Sequence, residues 1–376
     1  MRSIWNSIAD YIRESDKLLL FLCLAAGGYG CVAVWSATNY IGPRQAIVQA
    51  GALLLGVVGL IIVSHFDYNI YKKLWPLMVA IAVGLVILTF FIGFAPEGTD
   101  DRAWLKLPGG MTFQPAEVLK IVFIITFSIH LERVGERLNN LKYLIPLLIH
   151  GGLPILLVHF QGDDGTAMIF AIIMTLMLFA AGLKARYFVI LIVGILIAAP
   201  LIYFLVMNPD QQARLQSIFN LEDDLKGSDW QQWRGRIALA YGGWFGKGLF
   251  NGPLTQTGEV PESYNDFIFV SIGEELGFFG CLLCLALLAA ICIRILRIGS
   301  IAREKRGKLM CVGVFAMLLS QIIINLGMCL SITPVIGIPL PFFSAGGTSL
   351  LCLFGSIGVI MSVYMHRNAR QMRLYD

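Results

Sequence analysis

The sequence predicts an all-α polytopic membrane protein of about ten transmembrane helices with both termini cytoplasmic. Three observations carry that expectation. Hydrophobic residues fill 57% of the 376 positions and charged residues only 14%, against about 25% charged in soluble domains. Apolar runs close to the ~20 residues that cross a bilayer recur along the whole chain. Basic residues gather in alternate connections between those runs, as the positive-inside rule requires. A net charge of +4 is too small to point to nucleic acid, so the placement of charge matters more than its sum.

The expected spans are 18–38, 45–65, 74–94, 115–131, 143–160, 166–182, 187–207, 267–293, 309–331 and 348–365. The first is too long, and its lead-in too acidic, for a cleaved signal peptide. Within residues 1–17, Ile4, Trp5, Ile8, Tyr11 and Ile12 form a short amphipathic stripe. It suits an interfacial helix or a plain solvated lead-in. With the N-terminus inside, the inner segments hold 19 of the 28 basic residues and only eight of the 24 acids. The whole chain reads as a single transmembrane domain.

Three outer segments stand out. Residues 95–114 carry Glu97, Asp100, Asp101, Arg102, Trp104 and Lys106. Residues 208–265, between helices 7 and 8, form a long polar loop with no obvious structure of its own. Loops of that length are usually functional or disordered, and Trp230, Trp233, Trp244 and Phe245 argue for order. Residues 333–347 are apolar, but Pro334, Pro339, Pro341, Gly346 and Gly347 forbid a regular helix. Irregular backbone at membrane depth must be sheltered by protein or a wet cavity, so a re-entrant loop is expected.

Ionisable groups inside spans cost ~2.5–3.5 kcal/mol each and are functional candidates by default. In Gln114-Pro115-Ala116-Glu117-Val118-Leu119-Lys120, Pro115 suits the first helical position and Glu117 the positive end of the helix dipole. Capping leaves Lys120 unexplained. It lies one turn deeper on the face of Glu117, where the two can pair. Gln161-Gly162-Asp163-Asp164-Gly165-Thr166 reads equally as a tight turn or as part of a polar site. In the third group, Asn265 or Asp266 could cap the eighth span. Glu274 and Glu275 lie two turns further in with no basic neighbour in sequence, so a partner such as Lys120 or a loop arginine is expected. The eight cysteines all lie in apolar runs, which argues against a disulfide framework. Cys281-x-x-Cys284 lacks the second ligand pair of a zinc site.

Taken together, these residues resemble the SEDS family (shape, elongation, division and sporulation) of RodA, FtsW and SpoVE proteins. The resemblance runs over essentially the whole chain. It rests on Gln114-Pro115-Ala116-Glu117 with Lys120, Asp163 with Gly165-Thr166-Ala167, and Gly246-Lys247-Gly248. It continues through Pro261-Glu262, Asp266-Phe267-Ile268-Phe269, Glu274-Glu275-Leu276-Gly277 and Leu340-Pro341-Phe342-Phe343-Ser344 with Gly346-Gly347. The lead-in Val335-Ile336-Gly337-Ile338-Pro339 leans towards the RodA branch. Four departures are visible. Ala103 separates Arg102 from Trp104, Gly162 and Asp164 flank Asp163 in place of Pro and Leu, Ser263-Tyr264-Asn265 replaces a His-Thr approach, and Ala345 stands where Tyr is frequent.

The resemblance implies a peptidoglycan glycosyltransferase of the bacterial plasma membrane that polymerises lipid II at the extracytoplasmic face. It further implies a class B penicillin-binding protein, a transpeptidase, as partner. Asp266 matches the family's essential aspartate and is the expected catalytic base. Glu117, Lys120, Trp104, Asp163, Lys247, Arg234, Arg236, Glu274, Glu275 and Ser344 are the expected substrate-binding residues. Inverting an α-linked donor to a β-linked polymer calls for one displacement with a base behind the attacking hydroxyl. The leaving diphosphate needs neutralisation by Lys120, Lys247, Arg234 or Arg236, or by a divalent cation such as magnesium or manganese held by acids. Two other classes compete: a lipid II flippase, since midplane charges and proline-broken segments also mark transporters, and a non-catalytic scaffold. The crowding of polar groups at one face and the lack of an internal repeat favour the enzyme.

Overall fold

The computed structural model describes residues 11–95, 101–106, 112–205, 207, 212 and 228–368. Ile4, Trp5 and Ile8 of the amphipathic stripe, Glu97 and Asp100, and most of 208–227 lie outside the described residues. Eleven α-helices follow in order: α1 Lys17–Ala37, α2 Arg44–His65, α3 Tyr71–Ile92, α4 Pro115–Val134, α5 Leu141–His159, α6 Asp164–Ala181, α7 Ala185–Leu205, α8 Ser228–Gly242, α9 Ile268–Ile301, α10 Lys305–Cys329 and α11 Gly347–Met365. A two-stranded antiparallel sheet, β1 (Leu105–Lys106) with β2 (Thr112–Phe113), precedes α4.

Nine helices among the described residues are long and apolar enough to cross a membrane. The tenth span of the sequence reading is α4, which carries Glu117, Lys120, Glu132 and Arg133 and is buried along most of its length. Lipid would penalise such a helix; a protein interior can satisfy it. The chain is therefore a multi-pass membrane protein whose most polar span lies inside the bundle. At the other extreme, none of the apolar span of α7 is buried. Large apolar side chains such as Leu54, Phe91, Ile149, Ile190 and Leu196 are exposed on outward helix faces, the arrangement that a hydrocarbon solvent favours.

Small residues set the closest helix contacts. On α2 a Cβ at Gly56 would meet the Phe354 ring of α11 at 3.0 Å, and on α11 one at Gly358 would meet the Leu60 carbonyl of α2 at 3.0 Å. The long polar loop does have structure of its own, because α8 packs on α9. Gln232, Gly235 and Ala238 recur at the helical spacing that buries one stripe.

Helix α9 is broken at Gly277, which takes φ 68° and ψ −163°. The loop after α8 repairs the break. Lys247 N donates to Glu274 O (3.0 Å) and Gly248 N to Glu275 O (2.8 Å), while Phe278 N donates to Gly243 O (2.9 Å) and Phe279 N to Trp244 O (3.3 Å). Two carbonyls and two N–H groups freed by the kink are thus satisfied inside the bundle.

Candidate active site

Four segments meet at one end of the bundle: the turn into α4, the turn into α6, the approach to α9 and the irregular stretch from Thr333 to Gly346. Pro115 opens α4 at the first helical position with Gln114 as its N-cap residue. One turn in, Lys120 Nζ lies 2.8 Å from Glu117 Oε1, with both side chains buried. The expected pairing is present. Asp163 caps α6, accepting from Thr166 N at 2.8 Å, and its other oxygen accepts from Gln114 Nε2 at 2.7 Å. Burial pushes the Asp163 carboxyl above its ordinary value, and the Thr166 hydrogen bonds and nearby Lys120 pull it back. Asp163 thus makes the turn and also meets the side chain that precedes α4.

The stretch from Thr333 to Gly346 is irregular and partly buried, as its prolines require. It joins this polar group to Asp266. A Cβ on Gly165 would meet the Ile336 and Ile338 side chains at 2.7 and 2.8 Å, and one on Gly337 would lie 3.5 Å from Asp266 Oδ2. Residues 336–338 therefore stand between the Asp163 turn and the Asp266 carboxylate.

Asp266 does not cap α9. The N-cap residue is Phe267, and no side-chain cap bond is made. Among the described residues no hydrogen bond to the Asp266 carboxylate is present, although its main chain is firmly held. Burial, and secondarily the charge of Glu262, push its carboxyl from 3.8 up to about 7. Its residue is still partly open to solvent. A carboxylate with raised basicity and free lone pairs is the chemistry of a general base.

Glu274 and Glu275 find different partners from those expected. Glu274 accepts from Leu254 N (3.0 Å), Thr255 N (2.8 Å) and Thr255 Oγ1 (2.6 Å). Glu275 accepts from Ser36 Oγ and from Gln256 Nε2 (2.7 Å). Neither pairs with Lys120 or an arginine among the described residues. Neutral donors suffice because each carboxylate is offered two or more, and the two acids tie residues 254–256, and through Ser36 the end of α1, onto α9.

The expected cations separate into two kinds. Arg234 pairs with Glu259 and lies over the Trp230 ring at 4.5 Å and the Trp233 ring at 5.5 Å. Lys120 is spent on Glu117. Arg236 and Lys247 are exposed and have no ion-pair partner among the described residues. The glycines of Gly246-Lys247-Gly248 are explained by the repair of α9. Trp104 is partly buried, and its carbonyl accepts from Phe94 N at 3.0 Å. Ser344 is buried and uses its hydroxyl twice, accepting from Leu340 N (2.7 Å) and donating to Asn265 O (2.7 Å). Among the described residues no group of three or more His, Cys, Asp or Glu side chains is placed to hold a metal ion.

Two residues of this end escaped the sequence reading. Gln49 of α2 donates to Ser344 O (3.1 Å) and accepts from Gly346 N (3.1 Å), pinning the irregular stretch. Asn325 of α10 donates to both Asp266 O and Ile338 O at 2.8 Å. The available signal was an uncharged amide inside an apolar span. At the Ala345 departure, the backbone N–H of position 345 donates to Tyr264 O (2.9 Å), a contact that does not depend on the side chain.

Comparison with known proteins identifies the family. The family model FTSW_RODA_SPOVE, described as cell cycle protein, matches residues 16–369. The chain is 30% identical over 369 residues to the peptidoglycan glycosyltransferase MrdB of Escherichia coli K12, covering 97% of this chain and 96% of that protein. It is 28% identical to the probable peptidoglycan glycosyltransferase FtsW of Trichlorobacter lovleyi, covering 94% and 93%. Among solved structures, an aspartate-to-alanine variant of the rod shape determining protein RodA of Thermus thermophilus superposes with a TM-score of 0.70 at 25% identity, covering 94% of this chain and 98% of that one. A structure describing coordination of polymerization and crosslinking by a peptidoglycan synthase complex superposes at 0.82 with 24% identity and coverage of 94% and 98%, a likeness of fold. The match over nearly the whole length makes this chain a member of the FtsW/RodA/SpoVE family.

Proposed function

We infer that this chain is a peptidoglycan glycosyltransferase that polymerises lipid II, with Asp266 as the general base of an inverting displacement. The observation that supports this best is the Asp266 carboxylate, which is neither a helix cap nor hydrogen-bonded among the described residues, on a main chain clamped from several sides. In this reading Asp266 takes the proton from the acceptor's 4-hydroxyl as it attacks the anomeric carbon of the donor. The C–O bond to the diphosphate breaks, and the electron pair leaves with the polyprenyl diphosphate. Base assistance of this kind contributes about 10²–10⁴-fold.

Arg236 is the best-placed of the expected cations for the leaving diphosphate. Its neighbour Gly235 packs against Phe267 and Val270 beside the acid, whereas Lys247 sits at the Gly277 break, roughly 12–15 Å further along α9 at 1.5 Å per residue. The buried Glu117–Lys120 pair with Asp163 and Gln114 forms a polar wall across residues 336–338, suited to hydroxyl and amide groups of the sugar. The charge asymmetry of the connections supports a site at the extracytoplasmic face of a bacterial plasma membrane, with both termini inside. The family resemblance supports a class B penicillin-binding protein as the partner that crosslinks the product.

The test is Asp266→Asn, which removes the base with little change of shape. Purified protein supplied with lipid II should lose glycan synthesis by at least about 100-fold. Near wild-type synthesis overturns the assignment, and movement of a labelled lipid across proteoliposomes without polymer would favour a transporter.

A further inference from the structure

We propose that Asn325 is a positioning residue for Asp266, its single amide tying the main chain of the acid to the Ile336–Ile338 wall that the carboxylate faces. The inference rests on Asp266 being the base. Asp266 lies two residues before the first helical residue of α9, so the hydrogen-bond ladder of the helix does not fix it. Side chains and one loop amide fix it instead. Four consecutive carbonyls are each engaged: Ser263 O by Ser271 Oγ (2.6 Å), Tyr264 O by Ala345 N (2.9 Å), Asn265 O by Ser344 Oγ (2.7 Å) and Asp266 O by Asn325 Nδ2 (2.8 Å), with the Cys329 thiol a weaker second donor to Asp266 O at 3.6 Å.

Asn325 differs from the donors to the other three carbonyls in two respects. It acts on the residue that bears the acid, and its second N–H reaches Ile338 O at 2.8 Å. Ile338 adjoins Gly337, where an added Cβ would lie 3.5 Å from Asp266 Oδ2. One planar group with two donors thus sets the spacing between the base and the surface opposite. Of the side chains that fit this site, Asn supplies both donors, Ser one, and Ala or an ionised Asp none. Asn325 is fully buried, and a buried amide in a membrane span is retained only when bonded. A base must sit within about 2.6–3.2 Å of the proton it removes, and a misplacement near 1 Å costs about 10²-fold.

The experiment measures kcat and KM for lipid II polymerisation by the purified full-length protein across pH. It compares wild type with Asn325→Ala, Asn325→Ser and Asp266→Asn, and records the thermal midpoint of each. Asn325→Ala should lower kcat by about 10- to 100-fold with KM within about twofold, and should displace the acid limb of the pH profile. Asn325→Ser, which keeps one donor, should fall between Ala and wild type and stands in for Ala if that variant fails to fold. A loss of kcat in proportion to lost folded protein, with an unmoved acid limb, assigns Asn325 to structure alone and overturns the proposal. So does a wild-type kcat in Asn325→Ser beside an inactive Asp266→Asn. An active Asp266→Asn overturns the base assignment, and the positioning role falls with it.

Discussion

A Cβ on Gly246 would fall 2.1 Å from the carbonyl oxygen of Glu275, well inside van der Waals contact. The same approach recurs on both sides of the break in α9. A Cβ on Gly242 would meet Gly273 O at 1.8 Å, and one on Gly277 would meet Gly246 N at 2.4 Å. Backbone lies directly on backbone here, so glycine is required for space as well as for the positive φ of 78° and 68° at Gly246 and Gly277. The Gly246-Lys247-Gly248 motif therefore serves the repair of a broken helix before it serves any ligand.

Gly246→Ala should accordingly lower stability by about 2 kcal/mol or more, from steric overlap added to left-handed backbone strain. A thermal unfolding curve of the purified protein in detergent would show the drop. Lys247→Ala leaves the backbone bonds intact and should leave the thermal midpoint unchanged. An unshifted midpoint in Gly246→Ala would mean that the loop can move off α9 at little cost.

Glu274 and Glu275 should respond unequally to the same isosteric change. Glu274 faces three donors, so in Glu274→Gln the new NH2 must meet an N–H or hydroxyl that needs an acceptor. A loss of about 1–3 kcal/mol is expected. Ser36 can reverse its hydroxyl to accept from Glu275→Gln, and that variant should be milder. Thermal midpoints order the two, and KM for lipid II should stay near wild type in the folded fraction of each. A selective rise in KM would return these acids to a substrate-binding role.

These contrasts show which parts of the site were readable from sequence. The spans were legible because a bilayer imposes a length and a polarity that few other environments impose, and the helices begin and end within a few residues of the apolar runs, except that α9 continues to Ile301, past its expected end at 293. The Glu117–Lys120 pair was legible because three-residue spacing on a helix is local geometry. The partners of Glu274 and Glu275 were not, since residues 251–256 return to α9 only in the folded chain and neutral donors leave no charge signature. Asn325 was hidden for the same reason. An amide within an apolar run announces a buried hydrogen bond without naming the acceptor.

The pH response of Asp266 separates activity from stability. The carboxyl titrates near 7 because of burial and, second, the neighbouring Glu262 charge. On the proposed function Asp266 must be ionised to act as base, so activity should rise with pH through about 7 and fall below it. Glu262→Gln removes one cause and should move that limb to lower pH. Stability runs the other way. The folded state holds the proton more tightly than the unfolded chain, whose carboxyl titrates near 3.8, so unfolding becomes easier as pH rises from about 4 to 7. Asp266→Asn should therefore be the more stable protein above pH 7, and that advantage should vanish below pH 4. An Asn variant with the same midpoint as wild type at pH 8 would contradict the raised titration.

The buried pair in α4 offers a test in which folding and chemistry part company. Lys120 and Glu117 sit 2.8 Å apart with side chains 1% and 8% exposed. Removing one partner strands the other charge, which typically costs about 3–5 kcal/mol. Glu117→Gln and Lys120→Met should each lower the thermal midpoint sharply. The double variant carries no stranded charge and should recover most of the loss, since replacing a whole buried pair is often neutral. If the pair merely holds α4 in the bundle, recovery of stability should bring glycan synthesis back with it. If the pair meets the sugar across residues 336–338, the double variant should fold and remain inactive. That second outcome is expected on the proposed function, in which the pair faces the sugar beside Gln114 and Asp163.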